Sequence, residues 1–306
     1  MQKIICTNDF MDDYTYVEFE VFTSCNKSCD YCYNLLQHPK RFHNTYDGLI
    51  SILDRIMQSD NKRVVIGMIG GEPFIHKRFN DVVNHIYDNC DPMHKLQTFT
   101  HGDHKPAFHK NRIDNLAKFG DRVKLTTSIH YDYIDYDNFA KNLEYTDSKL
   151  KYNVLSTMVG DNIADRIDLL DDLMARTKNT TLHLFVDDRE EQDYIQLLKR
   201  YNQYQTIMSR YTERMDNYYL VDEKKIPWNV AKMQIIKDNG FVFTGRKCTP
   251  TYYEVMQDGS VYQECNRGCL GNVYDSNELF NVRSFPCDIH RCPPNLSKIY
   301  VEKTDT

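Results

Sequence analysis

Three thiols within eight residues give this sequence its clearest chemistry: Cys25, Cys29 and Cys32 stand in the CxxxCxxC run Ser24-Cys25-Asn26-Lys27-Ser28-Cys29-Asp30-Tyr31-Cys32. Iron–sulfur clusters are held by cysteine thiolates, normally one per iron. Three local thiolates therefore leave the fourth iron of a cubane open, and an open position on a metal is what a substrate or cosubstrate needs. Zinc is the competing occupant. It would require a fourth ligand, for which His38 or His43 could serve, but the spacing is not the paired CxxC of zinc ribbons. Five more cysteines, Cys248, Cys265, Cys269, Cys287 and Cys292, crowd the C-terminal part, while Cys6 and Cys90 stand apart. Two metal centres are the economical inference.

The elements that must position the first thiols are those of a parallel α/β fold. Strand-like runs fall at 16–23, 63–69, 95–100, 122–129, 151–158 and 180–186, with helical stretches at 46–58, 76–89, 108–119, 135–147 and 162–176 between them. In the first run Val17, Phe19 and Val21 alternate with glutamates, and Thr45 can cap a helix whose Leu49, Ile50, Leu53, Ile56 and Met57 recur at helical spacing. Six βα units give a partial (β/α)6 barrel, α/β in class, over residues 1–190. The cysteine run follows the first strand directly, so it lies at a strand's C-terminal end, where parallel folds place chemistry. Residues 191–240 read as a helical bridging region broken near Pro227-Trp228, and 241–306 as a small cysteine-rich α+β module.

Gly70-Gly71-Glu72-Pro73 ends the second strand, and its glycines would let main chain approach a ligand closely. The combination of CxxxCxxC, Tyr31 before the last cysteine, and this GGEP run resembles the radical S-adenosylmethionine superfamily. The resemblance implies that Cys25, Cys29 and Cys32 hold a 4Fe–4S cluster and that S-adenosylmethionine chelates the open iron. The cosubstrate is then cleaved to a 5′-deoxyadenosyl radical that abstracts hydrogen from a substrate. It further implies cofactor contacts from Tyr31, Gly70, Gly71, Glu72, Pro73, from Thr100 in a Thr100-His101-Gly102 segment where the family more often has Asn second, and from Ser128 near the ribose. His130, beside Ser128, reads as a hydrogen-bonding residue, not as part of the catalytic set.

In the C-terminal part, Val255 to Tyr262 reads as strand, Asp258-Gly259 turn and second strand. With the cysteines around it and Leu270-Gly271-Asn272-Val273 behind, it resembles the SPASM and twitch modules of peptide- and protein-modifying radical enzymes. That resemblance implies an auxiliary 4Fe–4S cluster on Cys248, Cys265, Cys287 and Cys292, with Cys269 as the alternative for one of the last two. A structural zinc site on four of the same thiols is the other use of these residues.

Composition narrows the partners. The chain has 306 residues, 41% hydrophobic content and a formal net charge of −6, without long like-charge runs, so a grip on nucleic acid is unsupported. No apolar stretch is long enough to cross a bilayer and no signal-type segment is present, from which a cytoplasmic protein is expected. Ten cysteines in a reducing compartment are better read as metal ligands than as disulfides. The family resemblance points to a peptide or protein side chain as substrate, with a nucleoside, sugar or other small metabolite as the alternative, and a non-catalytic metal-stabilised binding protein behind both. A reductant such as flavodoxin or ferredoxin is the implied partner, and no leader-binding domain is expected ahead of residue 16.

Overall fold

The computed structural model describes residues 2–7, 9–11, 13–29, 32, 45–60, 63–159, 166–186, 207, 209–216, 218–221, 224–227, 247–263, 269–276, 278–280, 285–286 and 297–301. Fifteen strands among them form two sheets. The larger is built on the six expected parallel strands, β2 (Thr15–Phe22), β3 (Val64–Gly70), β4 (Lys95–Thr100), β5 (Val123–Ser128), β6 (Tyr152–Val159) and β7 (Thr181–Val186), side by side in sequence order. Helices α1 (Tyr46–Met57), α2 (Phe79–Asn89), α3 (Pro106–Leu116), α4 (Tyr136–Lys149) and α5 (Ile167–Arg176) return the chain between them. This is the partial (β/α)6 barrel expected of the sequence, to within three residues at each strand or helix boundary except the start of α5.

Local chemistry explains the joins. The Thr45 hydroxyl accepts the Gly48 amide at 3.2 Å, and α1 then buries Leu49, Ile52, Leu53, Ile56 and Met57. Asp135 caps α4 in the same way, accepting from the Asn138 amide. The helix-facing side of the sheet is apolar, with Val17, Phe19, Val21, Ile66, Met68 and Leu125 fully buried in one cluster. Because side chains alternate along a strand, Tyr16, Glu18 and Glu20 face the other way, into the barrel.

Three further strands extend this sheet beyond β2. β11 (Tyr252–Val255) runs parallel to β2 with Tyr252 opposite Tyr16 and Glu254 opposite Glu18, and β12 (Ser260–Gln263) and β13 (Cys269–Asn272) follow antiparallel. The expected Asp258-Gly259 turn joins β11 to β12, with Gly259 at φ 83°. A second sheet has the order β14-β10-β15-β1-β8-β9 and pairs β1 (Gln2–Thr7) with β15 (Ser297–Val301) and β8 (Tyr218–Val221). Its other members are β9 (Lys224–Pro227), β10 (Lys247–Pro250) and β14 (Phe285–Pro286). The helical expectation for 191–240 thus fails at β8 and β9, an antiparallel pair ending at Pro227. The β-branched and aromatic residues of Tyr218–Val221 find a partner strand in β1, at the opposite end of the chain. The other described residues of that region are 207 and 209–216, whose Asp216 reaches the core sheet.

Tyr253 measures how firmly the hairpin is joined to the core. Its ring is fully buried, edge-on to Phe280 at 5.6 Å, and its hydroxyl accepts from Gln263 at 3.2 Å. Tyr253→Ala should cost about 3–5 kcal/mol, the usual loss for a buried aromatic. Urea unfolding checks this, and a loss under about 1 kcal/mol would mean that the hairpin is detached from the core.

Candidate functional site

The C-terminal ends of β2, β3, β4 and β5 bring together most of the residues singled out in sequence. The chain leaves β2 at Phe22 and enters the cysteine loop, in which Cys25 is exposed, Cys29 is buried and Cys32 is partly buried, none of them in a disulfide. The Cys32 amide donates to the Cys29 carbonyl at 3.2 Å, and the Lys27 amide lies 3.4 Å from the Cys25 sulfur. Burial pushes the Cys25 thiol up, and the charges of Glu72, Cys29 and Cys32 push it further. Three bare thiolates are thus mutually repulsive here, which fits a loop designed around a cationic metal group. A 4Fe–4S cluster would be held by these three sulfurs. Tyr31 lies outside the described residues.

GGEP packs directly onto this loop. The Gly71 amide donates to the Phe22 carbonyl at 2.7 Å and the Glu72 amide to the Ser24 carbonyl at 2.9 Å. Gly70 has φ +147°, and a Cβ there would sit 1.6 Å from the Phe22 oxygen; one on Gly71 would meet the Ser24 oxygen at 2.4 Å. Both glycines are therefore required for the two turns to touch each other. Pro73 opens a single 3-10 turn, Pro73–Ile75, which Glu72 caps through the Phe74 amide.

The Glu72 carboxylate points inward, 1% exposed, and gathers the strand ends. It accepts the Thr100 hydroxyl at 2.8 Å, the His101 amide at 2.7 Å and the Phe74 amide at 3.0 Å, with His104 Nε2 at 3.3 Å. Burial alone would push this carboxyl up, but the His104 hydrogen bond, the pull of the His101 and His104 rings and the His101 amide hold it below the usual range. The side chains of Glu72 and Thr100 are committed to each other, so what these two positions can offer a cosubstrate is main chain.

His101, standing where the resembled family more often has Asn, extends the joint to the cysteine loop. Its Nδ1 accepts the Asp103 amide at 3.0 Å, so the ring proton sits on Nε2, which donates to Asn26 Oδ1 at 2.9 Å. Burial lowers its pKa to about 4, so the ring is neutral and its 3.6 Å approach to Glu72 is not an ion pair. Glu72, His101 and His104 lie close enough to suggest a metal triad. The tautomer argues otherwise: a neutral imidazole that accepts at Nδ1 carries its proton on Nε2, the atom facing the other two, and has no lone pair there for an ion. The cluster is a hydrogen-bonded joint.

Lys27 makes the second tie. Its ammonium pairs with Asp103 at 2.5 Å and donates to the Tyr133 carbonyl, so the loop is anchored to the ends of β4 and β5 together. Ser128 closes β5 with a partly buried side chain, and His130 beyond it lies with Nδ1 3.8 Å from the Cys29 sulfur. Burial lowers the His130 pKa, so the ring beside Cys29 is neutral. Neither Asn26, Lys27 nor His101 was singled out as a site residue from the sequence. The available signal was the unusual His101 in the Thr-x-Gly segment, because a buried ring at a strand end must find partners.

Of the C-terminal thiols, Cys248 lies on β10 and Cys269 begins β13, where it is exposed and its sulfur is 3.3 Å from the Gly271 carbonyl oxygen. Cys265, Cys287 and Cys292 lie outside the described residues. Among the described residues no helix is long and apolar enough to cross a membrane.

The joint should be acid-labile. His101, with its pKa lowered to about 4, and the buried His109, lowered by burial to about 3, stay neutral in the fold while the unfolded chain takes up protons below about pH 6.5. Glu72, held low, adds stability that is lost as pH falls below the usual carboxylate range. All three effects have one sign. Stability should therefore fall steadily from about pH 6.5 to pH 4, by about 1 kcal/mol or more per pH unit. His101→Phe should flatten that slope while lowering stability at pH 7. Denaturant unfolding across pH checks both, and a flat profile down to pH 4.5 would contradict the assignment.

No protein-family model matches the chain, and no curated protein matches it in sequence. Solved structures do. It resembles anSMEcpe with bound AdoMet at TM-score 0.58 and 18% identity, over 87% of this chain and 80% of that one. The same protein with AdoMet and the Cp18Cys peptide gives 0.57 and 16%, over 92% and 81%. SuiB of Streptococcus suis bound to its precursor peptide SuiA gives 0.55 and 12%, over 87% of this chain and 64% of that one. At such identities the likeness is one of architecture: the chain shares the partial-barrel fold of these AdoMet-bound and precursor-peptide-bound proteins.

Proposed function

We propose that the protein is a radical S-adenosylmethionine enzyme that abstracts a hydrogen atom from a peptide or protein side chain. The observation that carries this reading is the meeting of Cys25, Cys29 and Cys32 with Gly70 and Gly71 at the mouth of a partial barrel, each turn bonded to the other. Cys25, Cys29 and Cys32 hold the 4Fe–4S cluster, and the main chain from Gly70 to Pro73, the Thr100 segment and Ser128 line the cosubstrate's place. When bound, the cluster supplies the electron that cleaves S-adenosylmethionine to the 5′-deoxyadenosyl radical. The chain's own residues orient. Glu72 fixes the glycine turn against β4, His101 and Lys27 hold the cysteine loop over the mouth, and His130 lies against the Cys29 sulfur. The peptide substrate class draws on the peptide-bound anSMEcpe and SuiB structures. A second cluster on Cys248, Cys265, Cys287 and Cys292 draws on their number and spacing around the hairpin, with a flavodoxin- or ferredoxin-type protein as reductant.

Anaerobic reconstitution with iron and sulfide, reduction and assay for 5′-deoxyadenosine test the reading. Wild-type protein should bind about eight irons and cleave S-adenosylmethionine. Cys32→Ala should lose about four irons and all cleavage, whereas Cys265→Ala should lose about four irons and keep some cleavage. Wild-type protein that holds iron but releases no 5′-deoxyadenosine would overturn the enzyme reading. Iron near four per chain with stoichiometric zinc would overturn the auxiliary cluster alone.

A further inference from the structure

The turn that follows β5 brings a ring nitrogen against the most deeply buried of the three cysteine-loop sulfurs. Beyond Ser128 the sheet pairing continues for one residue: the Ile129 amide donates to the Ser156 carbonyl at 2.8 Å, and the Ile129 side chain is buried. His130 comes next and opens the single 3-10 turn Tyr131–Tyr133, its carbonyl accepting the Tyr133 amide at 2.8 Å. Two contacts dock this turn on the cysteine loop. Lys27 donates to the Tyr133 carbonyl, and His130 Nδ1 lies 3.8 Å from Cys29 Sγ. Arg166 holds the same turn, paired with Asp132 at 2.5 Å and with its guanidinium 5.1 Å from the centre of the Tyr131 ring. The position of the imidazole over Cys29 is thus fixed by the residues that follow it.

The three sulfurs are not equivalent. Cys25 is exposed and has the Lys27 amide 3.4 Å from its sulfur. Cys29 is only 8% exposed, so little water reaches it, and negative charge placed on its sulfur has to be stabilised by the protein. A thiolate bound to iron has given up its proton and offers only lone pairs, so the nitrogen facing it must bring the hydrogen. That selects the form of the ring with its proton on Nδ1. The separation is long for an oxygen acceptor and within reach of the larger sulfur. In the metal-free loop the same contact runs the other way, with the Cys29 S–H as donor and Nδ1 as acceptor, so the ring is in place before any metal arrives.

We propose that His130 is a positioning residue for the cluster: its Nδ1–H donates to the Cys29 thiolate, fixes that sulfur, and raises the reduction potential of the cluster held by Cys25, Cys29 and Cys32. The inference rests on the enzyme reading above for the presence of that cluster. Hydrogen bonds to the ligating sulfurs are one of the levers on iron–sulfur potentials, and a partner outside the coordination shell orients the ligand that it bonds. The sign follows from the charge. On reduction the cluster takes one electron from the flavodoxin- or ferredoxin-type protein, no proton moves, and the added negative charge spreads onto the sulfurs. An N–H aimed at one of them therefore stabilises the reduced state more than the oxidised one. His130 keeps its proton throughout, so its role is electrostatic and geometric.

Potentiometric titration of the anaerobically reconstituted full chain tests this, following the electron paramagnetic resonance signal that Cys32→Ala lacks. Two substitutions separate the donor from the ring. Phenylalanine keeps a ring without a donor, and asparagine carries its amide nitrogen where histidine carries Nδ1. His130→Phe should make reduction about tenfold less favourable, a shift of about 59 mV to more negative potential for one electron. His130→Asn should restore most of that shift, an ordering that a merely structural role would not produce. Wild-type protein grown with 15N-labelled histidine supplies a second measurement, so a Phe variant that takes up no iron leaves the test intact. Pulsed resonance of its reduced cluster should show a weak 15N coupling that His130→Asn removes. An unchanged potential in loaded His130→Phe, equal shifts in the two variants, no histidine coupling in the wild type, or a coupling that survives in His130→Asn overturns the proposal, while the enzyme reading stands or falls on release of 5′-deoxyadenosine. Wild-type protein with no cluster signal that depends on Cys32 overturns both.

Discussion

The arrangement at the mouth depends on one buried carboxylate. An ionised Glu72 stripped of water would cost several kcal/mol unless every lone pair found a donor, and a carboxyl this deeply buried is tolerated only where the surroundings are built for it. Here the donors come from three separate segments: the Phe74 amide from its own turn, and the Thr100 hydroxyl and His101 amide from the end of β4, with His104 one turn further. Satisfying the charge therefore fixes the distance between the ends of β3 and β4. The glycine turn bonded to the Ser24 and Phe22 carbonyls passes that restraint on to the cysteine loop. His101 and Lys27 close the circuit by holding Asn26 and Asp103 from the far side. The thiols of the cysteine loop acquire a defined position because a charge at the end of the neighbouring strand has to be paired.

The same alternation that packs the sheet separates two chemistries. Every second residue of β2 enters the apolar cluster, and the intervening ones have no helix to meet, so Tyr16, Glu18 and Glu20 are free to be polar without loss of core. In a closed small barrel, layers of side chains from opposite strands would fill the interior. A sheet of six parallel strands does not close on itself, and β11, laid parallel to β2, continues it with residues from the C-terminal part of the chain. The interior thus receives Tyr252 and Glu254 from a segment more than two hundred residues away from β2.

Much of this was legible in the sequence, and the parts that were not share a cause. The six strands and five helices of the barrel could be read because local periodicity and caps specify them: Thr45 before α1 and the alternating Val17, Phe19 and Val21 need no distant partner to be interpreted. GGEP was visible as a turn, but that its glycines also pack against the backbone of Phe22 and Ser24, a whole βα unit earlier, was not. β8 and β9 were read as helical because their pairing with β1 is a contact between distant parts of the chain that no window of sequence contains. His101 illustrates the same limit. Its identity was conspicuous, but its role follows from Asn26 and Asp103, which only the fold brings to its two ring nitrogens.

The mouth and the interior differ in how fully their polar groups are paired. The mouth is held by bonds that are all made: the Glu72 oxygens each accept, His101 uses both nitrogens, and Lys27 has two acceptors. A completed network resists rearrangement, so the cysteine loop keeps its position against the glycine turn. The interior is different, because Tyr16 has an unmet hydroxyl and Glu18 faces Glu254 across a single strand spacing.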